Sequence, residues 1–352
     1  MRDHGAGSDA AKEDDCTRRQ LLSRGGLRRR NERSEIVLDS WVTVSRRAMA
    51  CTFKVTVGAA DGRAVRAAGE CLDEVERLES ILSIFRPDSD ASRINREAAT
   101  RPVSAGPELI ELLQLCQRVN DESEGAFDIT TGALTECWGF QDRNPRLPTD
   151  DALSSARKRV SAGRINIGTN DAVSFGAAGM RVNFGAVGKG YALDRGAQRM
   201  TAHGIDNALF SAGYSSVLAI GAGPEGEGWS VGLRHPLARD RRMATVRLHS
   251  CAMGTSSQEE QWFENGGKRY GHILDPRTGF PPTEVQSVSV IADTAALADA
   301  LATAFFVGGQ ELAERYCTEH EGTVAVMLLS RGLSRSVVIG ARDGAVVEVE
   351  NG

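Results

Sequence analysis

No apolar run in the sequence approaches the roughly 18–20 residues that a bilayer-spanning helix needs; the densest, 292–307, is interrupted by Asp293 and Asp299. A transmembrane segment is not expected. A basic excess is also lacking: Lys and Arg number 42 against 47 Asp and Glu, for a formal net charge of −5 and a pI near 5.8. Nucleic-acid binding draws on a basic face, so nucleic acid is not expected as a partner. None of the seven cysteines (16, 51, 71, 116, 137, 251 and 317) belongs to a C-x-x-C pair. Neither a zinc knuckle nor a disulfide framework is suggested, and thiols in a reducing, cytoplasmic setting are expected. There is no internal repeat.

The 352 residues, 41% hydrophobic and 25% charged, have the composition of a globular chain. The first 34 hold nine Lys or Arg and six Asp or Glu with almost no apolar periodicity, which predicts a disordered charged arm at 1–34 ahead of a single domain at 35–352. Thr17-Arg18-Arg19-Gln20-Leu21-Leu22 is similar to a twin-arginine export signal. However, Arg28 to Arg30 stand where the apolar stretch should follow, so export by that route is not expected.

From Glu35 onward the patterns become regular. Alternation at 41–44 and 53–57 predicts an opening hairpin. Val65, Ala68, Leu72, Val75, Leu78 and Leu82 recur at helical spacing, and Pro107 opens a second helix. Further helices are expected over 189–203 and over 295–307, the latter closed by Gly308-Gly309. Strand candidates fall at 208–210, 216–220, 229–233, 285–291, 323–329 and 336–339. Strands and helices do not alternate strictly, which favours α+β over a doubly wound sheet. The stretch 141–151, rich in Pro and charge, is the best candidate for a subdomain junction.

Three motifs carry chemistry. His272-Ile273-Leu274-Asp275-Pro276-Arg277-Thr278-Gly279 places an imidazole, a carboxylate and a guanidinium on one type I turn, which taken alone reads more readily as an ordinary surface turn and gains weight only from the motifs beside it. Asp299 and Thr303 lie four apart on an apolar helix and share a face. As hard oxygen ligands they suit Mg²⁺ or Ca²⁺; alternatively Asp299 pairs with Arg277 or Lys189 and Thr303 bonds back to its helix. Asn183-Phe184-Gly185-Ala186-Val187-Gly188-Lys189-Gly190 brings glycines and a lysine to a helix start, where free N–H groups attract phosphate. It is not a P-loop, since Gly190 stands where Ser or Thr is required, and it does not fit G-x-G-x-x-G.

In combination the motifs resemble the ApbE family, the FAD:protein FMN transferases. The resemblance runs over roughly 40–345 and rests on Met49, Leu82-Ser83-Ile84-Phe85, Gly125-Ala126-Phe127-Asp128-Ile129-Thr130, 183–194, Thr255-Ser256, 272–279 and Ala298-Asp299-Ala300-Leu301-Ala302-Thr303. It implies a single α+β domain of mixed sheets packed with helices. The implied reaction is Mg²⁺-dependent transfer of the FMN moiety of FAD to a Ser or Thr hydroxyl in the flavinylation motif of an acceptor flavoprotein, releasing AMP. Met49 and Phe85 would contact the flavin nucleotide, Ala126, Phe127 and Asp128 would line its site, Asn183 and Lys189 would sit near it, and Ile273 would offer its backbone. Mg²⁺, or Ca²⁺ or Mn²⁺ in its place, would take the Ala186 carbonyl, Asp299 and Thr303, and His272 with Asp275 beside it would activate the acceptor hydroxyl.

The chain departs from the family where Asn183 replaces a frequent Asp, where Tyr214 replaces a Gly and would narrow the site, and where Met49-Ala50-Cys51 replaces Met-Gly-Thr. The same residues leave two other readings open: a metal-dependent FAD pyrophosphatase giving AMP and FMN, or a non-catalytic FAD-binding protein.

Overall fold

The computed structural model describes residues 41–258, 261–330 and 336–350, so the arm expected at 1–34 lies outside the described residues. The hairpin is β1 (Trp41–Ala48) and β2 (Cys51–Gly58), in register from Trp41 opposite Gly58 to Ala48 opposite Cys51. Met49 and Ala50 form its two-residue turn with φ of 46° and 60°, the left-handed pair that such a turn demands and that non-glycine residues occupy at a cost.

Asp61 caps α1 (Gly62–Leu82), accepting from Arg63 N at 2.8 Å, and the expected stripe from Ala68 to Leu82 is buried. Next come α2 (Asp90–Glu97), β3 (Val103–Ser104), α3 (Pro107–Glu122), α4 (Gly132–Cys137), α5 (Asp150–Arg157), β4 (Ile165–Ile167) and β5 (Ala172–Phe175). Then follow α6 (Gly188–Ala202), β6 (Ala208–Ala212), β7 (Ser216–Ile220), β8 (Trp229–His235), β9 (Ala238–Leu248) and β10 (Ala252–Ser257). The chain continues through β11 (Trp262–Asn265), β12 (Lys268–Gly271), β13 (Val285–Ala292), α7 (Ala295–Glu319), β14 (Val324–Leu329), β15 (Ser336–Ile339) and β16 (Ala345–Val349).

Eight strands form the central sheet in the order β1-β2-β6-β7-β10-β13-β14-β15, and each neighbouring pair is antiparallel. The strand period of two sends alternate side chains to two different cores. Ala252, Val290 and Met327 join the core under α1, α3, α6 and α7, while their neighbours Met253, Ile291 and Val326 join the core under β8 and β9. With both faces covered, β13 reads as an almost unbroken buried run. Small sheets β16-β9-β8 and β3-β5-β4 and the hairpin β11-β12 complete an α+β architecture.

The helix expected over 295–307 does close at Gly308-Gly309, where Gly309 leaves helical geometry (φ 77°, ψ −169°); a second helical stretch follows directly to Glu319, and α7 is counted across that kink. One expectation is corrected: the stretch 141–151 is no subdomain junction; it leads into α5, and residues from Trp41 onward form one compact unit. Trp229 is buried as expected for a packed strand indole, donating from Nε1 to the Ile220 carbonyl at 3.0 Å. Among the described residues no helix is long and apolar enough to cross a membrane.

Candidate active site

A cavity of about 300 Å³, at the low end of the roughly 300–1,000 Å³ usual for small-molecule sites, is bordered by segments far apart in sequence. Phe85, Ala126, Phe127, Asp128, Asn183, Ala186, Lys189, His272, Ile273, Asp299 and Thr303 all line it. Met49 and Asp275, singled out with them from the sequence, are not among its lining residues.

Two close approaches position Asp299. A Cβ on Gly190 would fall 2.2 Å from the Ala295 carbonyl oxygen, and one on Gly254 would fall 2.5 Å from Asp299 N. Only glycine lets α6 and β10 press against the first turns of α7. The Asp299 carboxylate, on a residue 6% exposed, accepts from Gly190 N at 2.8 Å and from Ser216 Oγ at 2.9 Å. Burial still pushes its pKa up to about 7, against the pull of the Lys189 ammonium and of those two donors. Thr303, one turn on, donates to the Asp299 carbonyl at 3.3 Å and stands 3.3 Å from Ser256 Oγ. The back-bond expected of Thr303 is therefore present alongside its place in the cavity wall, whereas Arg277 is engaged elsewhere.

The turn before α6 folds locally. Asn183 Oδ1 accepts from Gly185 N at 2.9 Å, Gly188 N reaches back to the Phe184 carbonyl at 2.7 Å, and α6 starts at Gly188. Lys189, in the first helical turn, donates from Nζ to Ser215 Oγ in the cavity wall. A helix N-terminus and an ammonium thus face one oxygen-lined space, an arrangement that favours a phosphate.

The turn at 272–279 divides its labour differently from the expectation. Asp275 is committed to Arg277, accepting from its backbone N and Nε at 2.9 Å each and from Nη2 at 3.0 Å. Asp275 is thus placed to order the turn rather than to face the cavity. His272 Nδ1 lies 3.2 Å from the Gln261 carbonyl oxygen, which can only accept, so the neutral ring carries its proton on Nδ1 and its lone pair on Nε2. His272 follows hairpin β11-β12, which packs over buried Trp138 through Phe263 and Tyr270, with ring centroids 6.2 and 5.5 Å away.

Three more placements were not legible beforehand. The Asp128 carboxylate turns into the protein, accepting from Thr130 N at 2.7 Å, Thr130 Oγ1 at 2.6 Å and Ala162 N at 2.9 Å, while burial raises its pKa. Phe85 stands 72% exposed at the rim. Tyr214 does not narrow the cavity as expected: it is 87% exposed and does not line it. Ser216 and Gly190, which hold Asp299, were given no role from sequence; the small polar pair Ser215-Ser216 opening β7 was their only mark.

The fold and site define an α+β protein outside the P-loop and dinucleotide-fold classes, with an oxygen-rich cavity at a helix N-terminus. The family model described as ApbE family matches residues 49–328, and the chain belongs to that family. The chain is 34% identical to the FAD:protein FMN transferase of Treponema pallidum over 72% of this chain and 74% of that one. To the enzyme of the same name from Klebsiella pneumoniae it is 32% identical over 79% and 80%. The crystal structure of the ApbE protein of Thermotoga maritima superposes with a TM-score of 0.77 at 28% identity, covering 86% of this chain and 97% of that one. That of the Pseudomonas stutzeri flavinyl transferase ApbE, in its apo form, gives 0.76 at 27% identity, covering 87% and 96%.

Proposed function

We propose that the chain is an FAD:protein FMN transferase, moving the FMN moiety of FAD onto a Ser or Thr hydroxyl of an acceptor flavoprotein and releasing AMP. The observation that carries this reading is the meeting of Lys189, the α6 N-terminus, Asp299 with Thr303, and His272 on one cavity, in a chain of this family. FAD is two nucleotides joined by a pyrophosphate. Attack of the acceptor oxygen on the flavin-side phosphorus forms the new phosphoester, breaks the bond to the bridging oxygen, and leaves AMP.

Such a phosphoryl transfer asks the protein chiefly for in-line positioning and charge neutralisation. Lys189 and the α6 N-terminus would hold the pyrophosphate, and Phe85 with the 126–128 wall would hold the flavin nucleotide. His272 would take the acceptor proton, with its Nδ1 turned to the Gln261 carbonyl. Asp275 would position the turn that carries it.

The donor chemistry fits a divalent cation. Among the described residues there is no group of three or more His, Cys, Asp or Glu able to cage a metal, and Asp299 supplies one carboxylate beside hydroxyl and carbonyl oxygens. That set suits Mg²⁺, which keeps waters and shares substrate phosphates rather than filling an all-protein cage. Asp299, Thr303 and the Ala186 carbonyl would hold it, and it would supply neutralisation of phosphate charge.

If the site takes a whole dinucleotide, FAD binds more tightly than FMN and AMP competes with FAD. Flavin fluorescence titration checks this; equal affinities for FAD and FMN would mean that the adenylate half has no pocket.

A further inference from the structure

We propose that Tyr214, Arg234 and Arg242 form a docking rim for an acidic segment of the acceptor protein, an inference that rests on the transferase reading above. Tyr214 adjoins Ser215, which lines the cavity, yet 87% of Tyr214 is exposed, on the turn that Gly213 (φ +60°) opens between β6 and β7. The Arg234 guanidinium stacks over its ring, 4.7 Å from the centroid. In the β8-β9 ladder Arg234 lies directly opposite Arg242. Like charges so placed destabilise a sheet, and no carboxylate pairs with either guanidinium among the described residues. The Arg242 side chain runs over Gly232, whose added Cβ would lie 3.1 Å from Nε.

The segment 234–242 carries four arginines against one acid, Asp240, in a chain whose net charge is −5. This is a local reversal of sign, and Arg234 ties it to Tyr214, the chain neighbour of the cavity-lining Ser215. A carboxylate placed at the two guanidinium groups relieves their repulsion and can be held bidentately, while an exposed Tyr supplies rigid contact area of the kind enriched at protein interfaces. Chain continuity from Tyr214 to Ser215 argues for the acceptor rather than a lipid surface, because whatever docks on this rim is presented beside the reacting groups.

The test uses two synthetic peptides, each with one acceptor Thr, flanked in one by Asp and Glu and in the other by Lys, both fluorescein-labelled. Anisotropy titration of the FAD-loaded chain should show the acidic peptide binding more tightly. Arg234→Gln with Arg242→Gln should weaken it about 10-fold, as 0.5 M salt should, with FAD affinity unchanged. Tyr214→Gly should weaken it without altering the fold, which circular dichroism checks. Equal binding of both peptides, no change in the double variant, or preferential capture by phosphatidylserine vesicles would overturn the rim. AMP released from FAD with no flavin on either peptide would sink the transferase reading instead, while the anisotropy still reports on the rim.

Discussion

Asp299→Ala should abolish the Mg²⁺-dependent turnover proposed above. The substitution removes the one carboxylate among the expected metal donors and leaves Ser216 Oγ and Gly190 N without their acceptor in a fully buried place. Asp299→Asn keeps the shape and separates charge from packing: it should fold normally and still lose at least about 100-fold in turnover at limiting Mg²⁺, given that groups merely supporting a metal ligand are worth about 10- to 100-fold. Titrating Mg²⁺ against initial rate in both variants checks this. Undiminished turnover at limiting Mg²⁺ in a folded variant would remove Asp299 from the metal site.

The same carboxylate makes a pH prediction. Its pKa is raised to about 7 from an ordinary value near 4, and that of Asp194, which accepts from Ala295 N and Ala296 N at 2.7 and 2.9 Å, is raised by burial to about 6. A raised carboxylate pKa means that the folded chain holds a proton the unfolded chain has released. The contribution of these two groups to metal-free stability should therefore be most favourable at acidic pH and fall as pH rises from about 4 to 7. Asp299→Asn should remove the fall between about 6 and 7 entirely and roughly halve the slope between about 4 and 6, leaving there the part that belongs to Asp194. Urea unfolding at a series of pH values in chelator reads it. Mg²⁺ affinity should run the other way, weakening as pH drops below 7, because the proton and the cation compete for one group.

His272→Ala should leave FAD and Mg²⁺ binding near the parent level while lowering single-turnover flavin transfer by about 10²- to 10⁴-fold, the usual worth of a positioned base. If His272 only ordered the turn, FAD affinity and melting temperature would fall together and bound complex would react nearly as before. The experiment is run at saturating FAD and saturating acceptor, so that docking does not mask the chemistry. The pH profile of the variant should also lose its acidic limb. A normal single-turnover rate would end the base assignment.

Local pattern made the secondary elements with strong periodicity legible. The stripe on α1, Pro107 at the start of α3, and the hairpin at 41–58 all follow from spacing and turn chemistry. Gly309 does break the helix, but the second helical stretch that follows it to Glu319 was not anticipated. The long strand β9 went unseen: its run of Arg239, Asp240, Arg241 and Arg242 reads as a loop, and its apolar half is identified only by the tertiary core it shares with β8.

The site was legible where chemistry-bearing residues sit on motifs: 183–190, 272–279 and 298–303 do converge on one cavity. Partnerships were not, because they cross 80 to 110 positions. Ser216 and Gly190 reach Asp299 through the packing of β7 and α6 on α7, and nothing in either local sequence names that partner. Asp275 shows the converse. Beside His272 in the motif it looked available, yet it spends its oxygens on Arg277 within the turn.

The most direct test of the account is product analysis after incubating the purified chain with FAD, Mg²⁺ and an acceptor flavoprotein bearing a candidate Ser or Thr. The transferase account predicts AMP and covalently flavinylated acceptor in equal amounts, with the flavin surviving denaturation on the acceptor and no free FMN. AMP with free FMN and an unmodified acceptor, or FAD recovered intact beside a folded protein, would contradict it.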